Sequence, residues 1–311
     1  MTHLIKELVE GDRLTIQAII GSVTKGVNAN GSPYLNIELR DSSGSINGKK
    51  WEIEAKDDEI FIVGNIVELF IEVIKYRENL QVKILTAKRI SEEEIDVTRF
   101  VMAPPIKKEE LVERFNKLVN SINNPDCKAL LDYFINKYGK KLYDAPAATS
   151  VHHEFASGLL MHSVFMAENC DYISKEYGDI DRDLLVTGAL LHDFGKMVEL
   201  EGPAVYKYSV EGKLLGHISI MCSEMRKAAE ELHITSEVPM LLEHMILSHH
   251  GKLEFGSPVL PLTKEALILS IVDLLDSKIM IVSKALETIE PGEFTQKIFH
   301  IDNSSFYKPK K

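Results

Sequence analysis

The apolar residues of this chain keep two different periods, and the change falls at Pro104-Pro105. Before it, side chains alternate. Tyr34-Leu35-Asn36-Ile37-Glu38-Leu39-Arg40 is the cleanest run, and Arg13–Ile20, Lys50–Ala55, Ile66–Val73 and Leu80–Leu85 read the same way. Alternation buries one face of a sheet. About five short strands, punctuated by turn clusters such as Asn28–Ser32 and Asp41-Ser42-Ser43-Gly44, predict a small barrel that closes on itself. After the prolines, Leu111, Phe115, Leu118, Val119 and Ile122 recur at three- and four-residue steps, which is helical. Adjacent prolines stop both a helix and a central strand. Further helices are predicted after Pro125 to about Tyr138, then over about Phe155–Glu176, Asp183–His192, His217–Leu232, Val238–His249 and Thr263–Leu286, with a β excursion at Val205–Val210. The predicted fold is multidomain: an all-β barrel over 1–100, a linker and helical connector over 101–150, and an all-α bundle over 151–311 that ends in a basic, mobile tail, Tyr307-Lys308-Pro309-Lys310-Lys311.

The chain is long enough, and at 45% hydrophobic apolar enough, to bury sizeable cores. Its formal net charge of −11 argues against coating polyanions through a basic surface. A local basic groove stays compatible, because bound divalent cations also bring positive charge to where a phosphate sits. The three cysteines are scattered, with no metal-binding or redox spacing, as in a reducing compartment. No signal peptide and no membrane-length apolar run is visible, so a cytoplasmic protein without a membrane partner is expected.

Ten of the eleven histidines lie between His152 and His300. His162, His192-Asp193, His217, His249-His250 and Asp273 all stand in or beside apolar helical sequence. Imidazoles and carboxylates in such surroundings are costly unless something pairs with them. One or two divalent metals would account for the whole set, and the common use of such a centre is to activate water. Asp273, inside Ile271-Val272-Asp273-Leu274-Leu275, has no basic neighbour nearer than Lys278. Glu168 and Asp276 are candidates to hydrogen-bond the ligand histidines.

The ordered set His162, His192-Asp193, His217, His249 and Asp273, centred on Leu191-His192-Asp193-Phe194-Gly195-Lys196, resembles the HD-domain phosphohydrolases over about residues 150–286. The resemblance implies an all-helical HD-domain bundle that hydrolyses phosphate esters with two divalent ions. His162, His192, Asp193 and Asp273 would hold one ion. Asp193, His217 and His249 would hold the other, with Asp193 shared; His250 would join or replace His249. Lys196 resembles the phosphate-contacting lysine of such enzymes. Imidazoles mixed with carboxylates suit Mn first, then Fe, Co, Ni or Zn, over Mg or Ca.

Small Greek-key barrels of the OB type bind single strands through aromatic platforms and basic grooves. Here Tyr34, Trp51 and Tyr76 are the candidates for stacking, with Lys50, Lys75 and Arg77 for phosphates; Phe61, Lys49 and Lys83 are further candidates. Residues 1–100 carry 13 Lys and Arg against 17 Asp and Glu, a net of −4, so this barrel is no general polyanion trap. An OB-fold barrel, a proline linker and a helical HD domain, in that order, resemble the bacterial 3′→5′ exoribonucleases of the YhaM type. Local similarities include Gly158-Leu159-Leu160-Met161-His162-Ser163 and Ser248-His249-His250-Gly251. Membership would imply metal-dependent trimming of single-stranded RNA, with single-stranded DNA as a further candidate substrate, and a homo-oligomer. His152 and His153 are placed to contact substrate or protonate the leaving oxygen. Two rivals stay open at this point: an HD phosphodiesterase or nucleotidase acting on small nucleotides, and a non-catalytic single-strand-binding protein.

Overall fold

A computed structural model of the chain describes residues 3–28, 31–76, 79–91, 100, 106–145, 157–202 and 206–310. The chain divides into two compact units, Met1–Ala103 with Glu201–Lys207, and Pro104–Leu200 with Tyr208–Lys311.

In the first unit, β1 (Arg13–Val27), β2 (Pro33–Asp41), β3 (Gly44–Trp51), the short helix α1 (Asp57–Ile60), β4 (Ile66–Tyr76) and β5 (Asn79–Arg89) follow in order. The strands close in the order β1-β2-β3-β5-β4. This is the five-stranded OB topology. All pairings are antiparallel except β3 with β5, where Asn47 faces Gln81 and Lys50 faces Ile84. Parallel neighbours need a crossover rather than a hairpin, and α1 with β4 supplies it. β1 is longer than its alternation suggests because it serves two partners. Arg13–Ile19 pairs with β4, a bulge falls between Ile20 and Ser22, and the rest pairs with β2. Ile16, Ala18, Ile20, Leu35, Ile37, Leu39, Leu69, Ile71 and Val82 fill the interior. The expected turn after β2 is built by the buried Asp41, whose carboxylate accepts from Ser43 N at 2.7 Å, Ser43 Oγ at 2.6 Å and Ile5 N at 2.7 Å.

The second unit carries α2 (Lys108–Asn120), α3 (Pro125–Tyr138), α4 (Lys140–Asp144), α5 (Gly158–Glu176), α6 (Arg182–Leu191), α7 (Lys196–Glu199), α8 (Val210–Glu231), α9 (Val238–Ser248) and α10 (Lys264–Glu287). Two short strands, β6 (Leu200–Glu201) and β7 (Lys207–Tyr208), pair where a β excursion was expected. Every residue from Leu184 to Leu191 is buried, so α6 runs through the middle of the bundle, with α5 beside it. Asp181 caps α6 by accepting from Leu184 N at 2.9 Å. Arg182 fastens three elements: it donates to Asp171 on α5 at 2.7 Å, to Asp183 at 2.8 Å, and to Ser121 O and Oγ past α2 at 3.0 and 2.6 Å.

The helices read as a connector are part of this bundle. Arg114 on α2 makes a two-pronged bond to Glu168 on α5, at 2.9 and 2.5 Å. That pairing removes Glu168 from the ligand histidines it was expected to support. The basic tail expected to be mobile is also paired. It forms the return strand of a hairpin in which Phe294 faces Tyr307 and Ile298 faces Ser304, and Lys308 N donates to Glu293 O at 2.9 Å. Asp302 and Asn303 turn it with positive φ of 50° and 54°, a conformation Asp and Asn tolerate better than most residues.

Candidate metal centre

Five helices deliver the histidine and aspartate set to one place. His162 lies on the buried α5, and His192-Asp193 follows the last residue of α6. His249-His250 follows α9, and Asp273 faces inward from α10. His217 is on α8, immediately after a break. Gly216 has φ +71° and ψ 154°, so the backbone leaves the helix there: a first segment from Val210 precedes the break, and the helix expected from His217 follows it. A second glycine sets the approach: a Cβ on Gly195 would overlap the His217 carbonyl oxygen, so only glycine lets the turn after Asp193 sit against α8.

Each imidazole is held by its Nδ1. His162 donates to Asp276 Oδ2 at 2.7 Å, His192 to Ala189 O at 2.9 Å and His249 to Ile246 O at 2.7 Å. His250 donates to Phe255 O at 2.9 Å, and His217 to Glu199 Oε1 at 3.2 Å. Carbonyl and carboxylate oxygens only accept, so each Nδ1 carries a proton and Nε2 is the nitrogen turned inward, its lone pair open wherever the imidazole is neutral. The Nε2 atoms gather around Asp193 in two groups. Its Oδ2 is 3.6 Å from His162 Nε2 and 3.4 Å from His192 Nε2, while its Oδ1 is 3.5 Å from His217 Nε2 and 3.7 Å from His249 Nε2. Asp273 Oδ1 joins the first group at 3.4 Å from His162 Nε2.

Three of these inward atoms, Asp193 Oδ1, His217 Nε2 and His249 Nε2, are buried and have no hydrogen-bond partner. A buried acceptor left alone costs about 1–3 kcal/mol. Three acceptors aimed at one point are satisfied together by a cation. Ligand atoms of His217, His249 and His250, and of His162, His192 and Asp193, each form a group within 4.8 Å. The donor set therefore fits a divalent metal, and ligand atoms of both His249 and His250 lie in the first of these groups.

Charge supports the same assignment. Burial penalises the Asp193 carboxylate, yet Lys196 and the surrounding imidazoles hold it well below the usual carboxylate range. Lys196 Nζ donates to its Oδ2 at 2.7 Å. Burial, with His192 and His250 nearby, pushes His249 well below the ordinary imidazole value, which keeps it neutral and able to ligate. His162 differs: burial lowers it, but Asp273 and Asp276 outweigh burial and raise it to about 10. Without a cation this site carries a proton, and a cation must displace it.

Two supporting residues tell different stories. Asp276 does what its position suggested and orients His162. Glu199 had no sequence signal, since Lys196-Met197-Val198-Glu199 reads like any short solvated helix. It accepts from both the backbone N and the ring of His217, at 3.1 and 3.2 Å. Above the cluster lies a cleft of about 490 Å³. His152 and His153 lie outside the described residues.

On the barrel, Tyr34 and Trp51 are register partners on β2 and β3, with ring centroids 4.7 Å apart. Lys49 Nζ lies 5.1, 5.7 and 5.8 Å from the centroids of Tyr34, Trp51 and Tyr76. The three expected platforms thus share one surface cluster around a lysine. Lys75 is exposed, and Arg77 lies outside the described residues. Lys50 departs from expectation. It is buried, donates to Trp51 O at 3.1 Å and Glu52 O at 3.4 Å, and has Asp57 at 3.9 Å. Lys50 shares its face of β3 with Ile46 and Gly48, so it points inward. Phe61 is also buried, in the barrel core.

Residues 159–278 match the family model for the HD domain. The chain is 42% identical over 300 residues to the 3′-5′ exoribonuclease YhaM of Geobacillus sp. (strain WCH70), covering 96% of this chain and 93% of that relative. Among solved structures, the second OB-fold domain of replication protein A from Methanococcus maripaludis is 23% identical with a TM-score of 0.25, covering 30% of this chain and 97% of that one. A replication protein A heterotrimer bound to single-stranded DNA is 13% identical with a TM-score of 0.23, covering 30% and 68%.

Proposed function

The chain belongs to the YhaM-type 3′-5′ exoribonucleases, and on that premise we propose that two divalent cations, bridged by Asp193, serve it in removing nucleotides from the 3′ end of single-stranded RNA. It is a metal-dependent hydrolase, an OB barrel joined to an HD domain. The observation that carries the two-cation reading is the divided use of Asp193, one oxygen toward His162 and His192, the other toward His217 and His249. His162, His192, Asp193 and Asp273 would hold one ion; Asp193, His217, His249 and His250 would hold the other. Ions held there would supply positive charge to the attacked phosphodiester and would acidify a water beside it.

The chain's own groups provide the rest. Asp276, Glu199 and the carbonyls of Ala189, Ile246 and Phe255 fix five imidazoles in one tautomer, so ligand geometry is set before any ion arrives. Lys196 puts an ammonium at the cleft floor, where a substrate phosphate can share it with Asp193. His152 and His153 are proposed to contact the strand or to protonate the leaving oxygen. Mn is the first choice of metal for neutral imidazoles mixed with carboxylates, with Fe, Co, Ni and Zn suiting the same donors.

Tyr34, Trp51 and Tyr76 with Lys49, Lys75 and Arg77 are the proposed strand-binding surface of the barrel, and Lys50 is omitted because it is buried. Single-stranded DNA is a further proposed substrate. A homo-oligomer and a cytoplasmic location are further parts of the proposal. Among the described residues, no helix is long and apolar enough to cross a membrane.

The test is digestion of RNA labelled at either end, beside mononucleotides and cyclic dinucleotides. Stepwise shortening of 5′-labelled strands, with immediate loss of a 3′ label as mononucleotide, supports the reading. Hydrolysis of small nucleotides alone rejects it.

A further inference from the structure

The floor of the cleft is polar and its mouth is not. Asp193, His217 and Asp273 line the floor, together with Lys196, the one lysine of the lining. The mouth carries three rings from separate parts of the chain. Tyr208 on β7 is 45% exposed, and Phe255, in the 3₁₀ turn Leu253–Phe255, is 50% exposed. His300 stands exposed near the tip of the C-terminal hairpin. Leu200 and Leu274 complete an apolar wall.

Each ring stands on fixed backbone. Ser209, next to Tyr208, donates through N to Glu199 O and through Oγ to Val198 O, both at 2.9 Å. The Phe255 carbonyl anchors His250. The hairpin is tied at Ile298–Ser304, with Ile301 buried beneath the tip. None of these rings is needed to complete the metal centre or to fill the core. Lys252 Nζ lies over one side of the Phe255 ring, 5.2 Å from its centroid, and a mouth made mainly of exposed flat faces is suited to a nucleobase rather than to a second phosphate.

We infer that this mouth is a nucleobase subsite, in which Tyr208, Phe255 and His300 hold the base of the 3′-terminal nucleotide while its phosphodiester lies over the histidine and aspartate floor. The inference rests on the exonuclease reading and specifies what that reading leaves open, namely what holds the strand's end. The cleft volume falls within the range of about 300–1,000 Å³ usual for small-ligand pockets, which is room for a single nucleotide. Stacking recognises any base, because each has a π-face. The subsite therefore favours a base over no base without favouring a sequence.

The experiment uses the Mn-loaded full chain and RNA ending in 2-aminopurine, whose last linkage is an uncleavable phosphonate. At saturation, followed by anisotropy, emission falls several-fold with the wild type. It falls less than half as far with Tyr208→Leu/Phe255→Leu/His300→Ala. His300→Ala alone, on an exposed tip, gives an intermediate result and guards against misfolding of the triple variant. On cleavable RNA, replacing the terminal nucleotide with an abasic one raises the wild-type KM about ten-fold while kcat changes less than about two-fold. The variants lose that difference. Free-strand emission at saturation, or an equal KM for abasic and ordinary ends in the wild type, overturns the subsite while leaving 3′-end trimming intact. A wild type that does not shorten strands from the 3′ end at all overturns the exonuclease reading itself.

Discussion

The nitrogen that each imidazole turns inward is decided by what holds its other nitrogen. Asp276 and Glu199 do this for His162 and His217 with charged acceptors, while backbone carbonyls serve His192, His249 and His250. Partners of this kind are worth about 10–100-fold in metal affinity. Asp276→Asn and Glu199→Gln should therefore each weaken Mn binding by that factor in a competition titration against a chelator, with the melting temperature of the metal-free protein little changed. Affinity equal to wild type in both variants would contradict the assignment. At this scale the ligands were legible because histidine and aspartate in apolar helical sequence are chemically conspicuous. Glu199 was not, because the contact that gives it meaning, with His217, is 18 residues away. Lys50 was misread for a related reason. The strand was expected over Lys50–Ala55, but β3 runs Gly44–Trp51, and in that phase Lys50 points in and Trp51 stacks with Tyr34.

Helix ends and breaks, rather than helix middles, bring most of the site together. The α6 terminus and the α8 break meet at Gly195 and His217, where no Cβ fits. Gly195→Ala should cost about 1–3 kcal/mol by overpacking and displace His217. The expected result is a lower melting temperature with weaker Mn binding, and a variant matching wild type in both would exclude this contact as a constraint. The bundle has its own electrostatic fastening at Arg182. Burial raises Asp171 and Asp183, but Asp171 is held below its ordinary value by Lys175 and Arg182, and Asp183 by the Asn124 and Asn123 amides and Arg182. Because both folded pKa values are depressed, the stabilisation is complete above the unfolded carboxylate value of about 3.9 and disappears as pH falls through the folded ones. Arg182→Met should lower stability at neutral pH by about 2 kcal/mol. The gap from wild type should narrow below about pH 4, as read by thermal melts from pH 7 to 3. A constant gap across that range would rule out the carboxylates as its source. Periodicity located most of the helices, but not the break at Gly216 or the paired C-terminal hairpin, since both depend on contacts with other segments.

For the whole molecule, the switch of period at the paired prolines was enough to separate a β-unit from a helical one. It did not show that α2 and α3 belong with the bundle, because their packing partners, such as Glu168 for Arg114, lie more than fifty residues away. The two units should carry separable tasks. Trp51→Ala with Tyr34→Ala should weaken single-strand RNA binding by about ten-fold or more, given the usual worth of base stacking, while Mn binding is unchanged. Equal RNA affinity in filter binding would remove the barrel cluster from the strand path. The claim on which everything else depends is that one aspartate is shared between two cations at a hydrolytic centre. The most direct measurement is metal analysis of the chelator-treated chain during Mn titration, with RNA hydrolysis followed on the same samples, for wild type and Asp193→Ala. Wild type should take up two Mn per chain and regain hydrolysis as they bind, while Asp193→Ala stays folded and loses about three orders of magnitude in rate. Hydrolysis that survives complete metal removal, or an Asp193→Ala chain that binds two ions and cuts RNA as wild type does, would contradict the account.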